Sequence, residues 1–161
     1  MKIGLIGAGR LGLCLALLIE DAGYDVIASD MRPDYVNHLN EKKVKTSEPG
    51  VQEYLEKANK IQFTTDNTRV ITECDIIFTL VATPSLEDGS YDVSSVWEVV
   101  KDFKTVAKKT EVFNKSLVVG CTTNPGDCNE IQDYLSVDPD TFGVNVFYNP
   151  EFIAQGTIIK D

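Results

Sequence analysis

The sequence predicts an α/β fold: a doubly wound, mainly parallel six-stranded sheet with helices on both faces. Two features carry this expectation. Short apolar runs alternate with helical stretches along the whole chain, which implies right-handed crossovers between parallel strands. Two of the runs, Ile76 to Val81 and Leu117 to Val119, are nearly all apolar, as befits strands covered on both faces.

Taken in order, Ile3 to Gly7 reads as a strand, and Leu11, Cys14, Leu15, Leu18 and Ala22 then recur at helical spacing with Gly23 as C-terminal cap. Val26 to Ala28 is a second strand, ending at Asp30. Pro33 opens a helix to about Asn40 and Pro49 another to about Lys57, since proline suits the first helical position. Ile61 to Thr65 reads as a strand and Thr68 to Cys74 as a short helix. Val96, Val99, Val100, Phe103 and Val106 mark a long helix. Pro125 is expected to start the next one, with Thr123 or Asn124 as its cap. Val144 to Tyr148 is the last strand. There is no internal repeat or linker, so residues 1–161 read as one domain.

The 161 residues are 43% hydrophobic and 25% charged, with 15 basic against 25 acidic side chains and a net charge of −10. An acidic chain without a basic face argues against nucleic acid and anionic membrane as partners. No apolar run approaches the length of a membrane-spanning helix. The stretch from Met1 to Ile19 has the outline of a secretory signal, but Arg10 interrupts it and no A-x-A cleavage pattern follows. Four dispersed cysteines (Cys14, Cys74, Cys121, Cys128) and a single histidine, His38, lack metal-site spacing; no metal is expected, and free thiols suit a cytoplasmic protein. His38 itself reads as a solvated helix residue beside inward Val36 and Leu39.

The first strand runs straight into Gly7-Ala8-Gly9-Arg10-Leu11-Gly12, a G-x-G-x-x-G with the strand before it and the helix after it that its mechanism requires. Gly7 permits the tight turn, Gly9 removes a side chain where a pyrophosphate would approach, and Gly12 lets helix and strand pack closely. The helix dipole then offers local positive potential to an anion that the overall charge repels. This is the signature of a Rossmann-type dinucleotide site, although some methyltransferases use a similar glycine loop. Asp30 lies 21 positions beyond Gly9, close to the spacing of about 20 for a carboxylate that accepts hydrogen bonds from an adenosine ribose. NAD is therefore favoured over NADP. Arg32 leaves alternatives open: it can pair with a 2′-phosphate, stack on adenine or stay solvated.

Three further segments fall at the carboxyl ends of strands, the edge where open α/β sheets bind ligands: Val81-Ala82-Thr83-Pro84, Thr122-Thr123-Asn124-Pro125 and Asn149-Pro150-Glu151. Each alone could be ordinary strand-ending and capping sequence; three on the glycine-loop edge favour a site. Glu151 is the carboxylate on that edge placed for acid–base work, with a first-turn helix acid as the alternative. Cys121, near the same edge but within an apolar strand, reads as an inert buried thiol.

With these segments in order, together with Glu48-Pro49-Gly50, the Gly89 and Asp92 that follow Pro84, and the run Phe152-Ile153-Ala154-Gln155-Gly156-Thr157, the chain resembles the N-terminal domain of the nucleotide-sugar 6-dehydrogenases, the UDP-glucose 6-dehydrogenase family, over essentially its whole length. The resemblance implies a two-step oxidation of a sugar C6 alcohol to a carboxylate, with two NAD reduced, a cysteine-bound thioester on the way and a UDP-sugar, UDP-glucose foremost, as substrate. It implies that Gly7 to Gly12, Asp30, Val81 to Pro84, Thr122 and Thr123 line the cofactor. Glu151, with Thr123 acting through a water, would serve thioester hydrolysis and proton transfer, while Phe152 and Ile153 would touch the sugar nucleotide. Three positions depart from the family. Arg10 replaces the usual aromatic or apolar residue, Tyr35 stands where a basic residue is common and makes Arg32 its substitute, and Gln155 replaces an acid but keeps a hydrogen-bonding amide for the nicotinamide region. The family's nucleophilic cysteine, sugar-binding domain and dimer-forming segment lie beyond position 161, and none of the four cysteines here matches that nucleophile. The expectation is thus the NAD-binding part of a longer enzyme, homodimeric or higher, inactive by itself. The other readings are a β-hydroxyacid-type dehydrogenase domain and a stand-alone NAD-sensing module.

Overall fold

The computed structural model describes residues 1–110, 114–141, 143–151 and 156–159. Among them six strands, β1 (Lys2–Ile6), β2 (Asp25–Ser29), β3 (Ile61–Thr64), β4 (Ile76–Thr79), β5 (Ser116–Val119) and β6 (Asn145–Tyr148), form one sheet in the order β3-β2-β1-β4-β5-β6. Every pairing is parallel. The chain order reverses between β1 and β4, and at such a switch point the flanking connections leave to opposite faces and open a crevice at the strands' carboxyl ends.

The helices divide between the two faces. Strand residues Ile3, Leu5, Val26, Ala28 and Phe63 pack under α1 (Arg10–Asp21), α2 (Pro33–Asn40) and α3 (Val51–Lys57). Their alternates Ile6 and Ile27, with Ile77, Leu117 and Val119, pack under α4 (Asn67–Glu73), α5 (Ser94–Thr110) and α6 (Asp127–Ser136). This alternation follows from the two-residue period of a strand. On α5, Val96, Val99, Val100, Phe103 and Val106 are all buried, the apolar stripe legible in the sequence. α1 closes at Gly23, whose N–H donates to the Glu20 carbonyl at 2.8 Å while Tyr24 N–H donates to Ile19 at 3.3 Å.

Two helix starts differ from expectation, for the same reason. α3 begins at Val51, because Gly50 takes φ +85° and reverses the chain after Pro49. α6 begins at Asp127, because Gly126 takes φ +100° after Pro125, so neither Thr123 nor Asn124 caps it. The Asn124 side chain is engaged elsewhere: its Oδ1 accepts from Tyr91 N–H at 2.8 Å and its Nδ2 donates to the Tyr91 carbonyl at 3.0 Å. That pair ties the β5–α6 connection to a hairpin between β4 and α5, in which Ser85 bridges Tyr91.

Candidate cofactor site

The glycine loop turns because Gly7 adopts φ +102°, where a Cβ would stand 2.5 Å from the Leu80 carbonyl oxygen. The amides of Gly7 and Ala8 both donate to the Ser29 carbonyl, at 2.9 and 2.8 Å, which fixes the loop on the end of β2. A Cβ on Gly12 would run into the Gly7 carbonyl, so helix and strand meet at backbone distance. Around the position of a Gly9 Cβ there is open space. Gly9 caps α1 without a side-chain hydrogen bond and no acidic residue stands in the helix's first turn, so no side chain of the helix itself offsets its positive dipole end.

Beside it a cleft of about 410 Å³ is lined by Gly7, Gly9, Asp30, Arg32, Val81 and Ala82, with Glu98 and Asp102 of α5 on its opposite wall. The Asp30 side chain is 7% exposed at the end of β2. Its carboxylate is forked by Arg32, which donates from Nε at 2.7 Å and from Nη2 at 2.8 Å; the Arg32 backbone N–H adds a third bond at 3.1 Å. The guanidinium lies 4.2 Å over the Tyr35 ring centroid. Tyr35 thus supports Arg32 rather than supplying a cation itself. With Nε and Nη2 committed to Asp30, the fork of Arg32 is occupied, which weighs against its use on a 2′-phosphate.

A second cleft, of about 250 Å³, opens next to the first, with Leu80 in the wall of both. Leu11, Leu15, Phe78, Gly120, Asn149, Pro150 and Glu151 line it, so Leu11 of the glycine loop faces this apolar cleft and not the one that holds Asp30. Ala8 is buried in the α1 side of the core. Arg10 Nε stands 3.9 Å from Glu48 Oε1. Thr83 and Pro84 continue from Ala82 into the hairpin, and Thr122 and Thr123 lie on the β5–α6 connection; these four line neither cleft. Thr123 hydrogen-bonds the Cys128 thiol. Phe152, Ile153 and Gln155 lie outside the described residues.

Residues 1–161 match the model of the UDP-glucose/GDP-mannose dehydrogenase family, NAD binding domain. The chain belongs to this family. The UDP-glucose 6-dehydrogenase of Rickettsia prowazekii is 32% identical over 166 residues, an alignment covering 100% of this chain and 36% of that protein. Among solved structures, a ternary complex of GDP-mannose dehydrogenase from Pseudomonas aeruginosa superposes with TM-score 0.88 at 26% identity, over 100% of this chain and 38% of that one. The UDP-glucose dehydrogenase of Pyrobaculum islandicum gives TM-score 0.88 at 25% identity, over 99% and 38%. The chain therefore spans little more than a third of the length of the relatives it matches.

As an NAD-binding domain of this family, the molecule offers fitting groups for the dinucleotide: open space at Gly9 beside a helix N-terminus, and a buried carboxylate at the end of β2. Cys121 lies two residues past the end of β5 and is only partly buried, not within the strand as expected, yet burial still pushes its thiol up to about 11 and sets it apart from chemistry. Among the described residues no group of His, Cys, Asp and Glu could hold a metal ion, and no helix is long and apolar enough to cross a membrane. Glu48, to which the sequence motifs assign no role, is buried at 4% exposure between Arg10 and the Gly156 amide. Its signal was the Glu-Pro-Gly triplet, which marks a turn but does not say what the carboxylate meets.

Proposed function

We propose that residues 1–161 are the NAD-holding domain of a nucleotide-sugar 6-dehydrogenase that oxidises the C6 alcohol of a UDP-sugar, UDP-glucose foremost, to the carboxylate with two NAD. The observation that carries the reading is the pair of adjoining clefts on one rim: the first holds Gly7, Gly9 and Asp30, the second Glu151, and Leu80 is their common wall. An extended dinucleotide placed with its adenosine over β2 reaches toward the second cleft with its other end.

The chemistry NAD supplies when bound is two-electron oxidation of a carbon bearing oxygen. This chain's residues bind and orient it. The Gly7–Gly12 loop and the α1 dipole hold the pyrophosphate, with Arg10 adding positive charge. Asp30 accepts from the ribose hydroxyls, and Arg32 presents its outer face to the adenine. Val81 and Ala82 border the middle of the site, and Thr83, Pro84, Thr122 and Thr123, outside both clefts, approach the dinucleotide from the connections past β4 and β5. Glu151, assisted by Thr123 through a water, takes up and returns a proton at its carboxylate. Phe152 and Ile153 touch the sugar nucleotide, and the Gln155 amide serves the nicotinamide region. The remaining two-thirds of the protein supplies the nucleophile and the rest of the sugar site, so the domain alone binds NAD without turnover. The complete protein acts in the cytoplasm as a homodimer or larger assembly.

The test is made on the complete protein. Incubation with UDP-glucose and NAD+ is expected to yield two NADH per sugar acid formed. If only another nucleotide sugar reduces NAD+, the substrate assignment is replaced; if none does, the oxidation itself is refuted.

A further inference from the structure

Ser29, 1% exposed at the end of β2, is joined to the glycine loop by its backbone and to α5 through its side chain. Its carbonyl holds the amides of Gly7 and Ala8, while its Oγ donates to Oδ1 of Asn67 at 2.7 Å. Asn67 Nδ2 donates in turn to Oδ2 of Asp102 on α5 at 2.9 Å. Asn67 is the first residue of α4, but Asp66 caps that helix, so the Asn67 amide is spent on the bridge between Ser29 and Asp102. Thr65, Asn67 and Asp102 line both the first cleft and a third, polar one of about 320 Å³, and the bridge is the partition between them. Glu98, one turn before Asp102 on α5, lines the first cleft with Val99 beside it. Acids four positions apart on a helix repel each other, yet among the described residues neither of these is in an ion pair. Met31, 89% exposed, lines the same cleft.

A dinucleotide whose ribose meets Asp30 carries its base further from the glycine loop, into the part of the cleft that Met31 and α5 line. A flat ring finds apolar surface there on Met31 and Val99. Its edge finds carboxylates, which when ionised only accept hydrogen bonds. Adenine presents an amino group at position 6, a donor; hypoxanthine and guanine present a carbonyl oxygen there, which a carboxylate repels. We propose that Asp102, with Asn67 as its positioning residue, accepts from the amino group of adenine and thereby selects the base of the cofactor. Glu98 adds negative potential on the same wall. The inference rests on the reading of this cleft as the place of the adenosine half of NAD, and deepens it.

Calorimetry on the complete protein compares NAD+ with nicotinamide hypoxanthine dinucleotide, in which a carbonyl oxygen replaces the amino group. The native protein is expected to bind NAD+ about fivefold more tightly or better. Asp102→Asn keeps an oxygen for Asn67 and turns an amide NH2 toward the base, so the preference is expected to fall to about parity or reverse. Both ligands carry the same charge, so their ratio does not register the charge removed from the wall. Asn67→Ala is expected to lower the preference about threefold when Asp102 is present, and not at all in the Asp102→Ala background. Should Asn67→Ala fail to fold, Asp102→Asn supplies the result. An unchanged ratio in Asp102→Asn overturns the proposal, as does equal affinity of the native protein for the two dinucleotides. The ribose placement is judged separately, by the affinity that Asp30→Ala loses for both: if that loss is found without a base preference, only the reading of the base falls. If the native protein binds neither dinucleotide, both fall.

Discussion

The two halves of the rim are built by different means. On the β1–β2 side the site is nearly all backbone: Gly7 and Ala8 hang on the Ser29 carbonyl, Gly12 packs on Gly7, and Asp30 stands one residue beyond β2. On the β4–β6 side it depends on side chains that reach across long stretches of sequence. Asn124 ties Tyr91, 33 residues away, and Glu48 ties Gly156, 108 residues away. The first half is fixed wherever a strand, a glycine loop and a helix follow one another. The second is fixed only when distant loops land on each other. Damage to the backbone of the first half should therefore cost the fold, and damage to the second should be felt mainly at the rim itself.

The sharpest way to break this comparison is Gly12→Ala. The added methyl would meet the Gly7 carbonyl, which is backbone held by two hydrogen bonds to β2 and cannot swing aside. Overpacking of this kind is expected to cost about 3 kcal/mol, visible as a melting point lowered by about 10 °C. A variant that melts like the native chain would show that the loop is more pliable than its contacts imply.

Asp30→Ala is expected to act next most strongly, and on binding. Removing the carboxylate proposed to accept from the ribose hydroxyls should weaken NAD+ and ADP alike, by about tenfold or more. The same change releases Arg32 from its fork, so the preference for NAD+ over NADP+ is expected to narrow. Calorimetry with the three ligands checks both statements; undiminished NAD+ binding would remove the ribose role.

How much of this could be read from the sequence follows the same division. The glycine loop, the 21-residue step to Asp30 and the strand–helix alternation were legible because each rests on neighbours in sequence. Pro33 did open α2, where no glycine follows it; Pro49 and Pro125 did not open α3 and α6, because left-handed Gly50 and Gly126 intervene. Asn124 looked like a helix cap and instead spends its amide on the hairpin. Glu48 stood in a recognisable motif, but its burial depends on where residues 156–159 settle, which no local periodicity encodes.

The cysteines sharpen the comparison by the smallest effect. Cys14, behind the glycine loop on α1, is fully buried and its thiol is raised to about 11, by burial first and by the nearby Glu48 second. Cys74 at the end of α4 is likewise buried and raised to about 11. Cys128, on α6 and packed against the same cluster as Cys74, is only partly buried, and its bond with Thr123 offsets part of the upward push of burial. Alkylation at pH 8 is therefore expected to label Cys128 first, by a factor of about ten or more over Cys14 and Cys74. Between about pH 9 and 11 the folded chain keeps the protons on Cys14 and Cys74 that the unfolded chain gives up. Raising the pH through that window therefore favours unfolding, by about 3 kcal/mol at pH 10 for the pair. Denaturant titrations at pH 8 and 10 check this, and the alkaline loss should shrink when both residues are replaced by alanine. Equal labelling of all three thiols at pH 8 would mean that α1 opens as readily as α6, and the contrast between a backbone-built half and a loosely tied one would not stand.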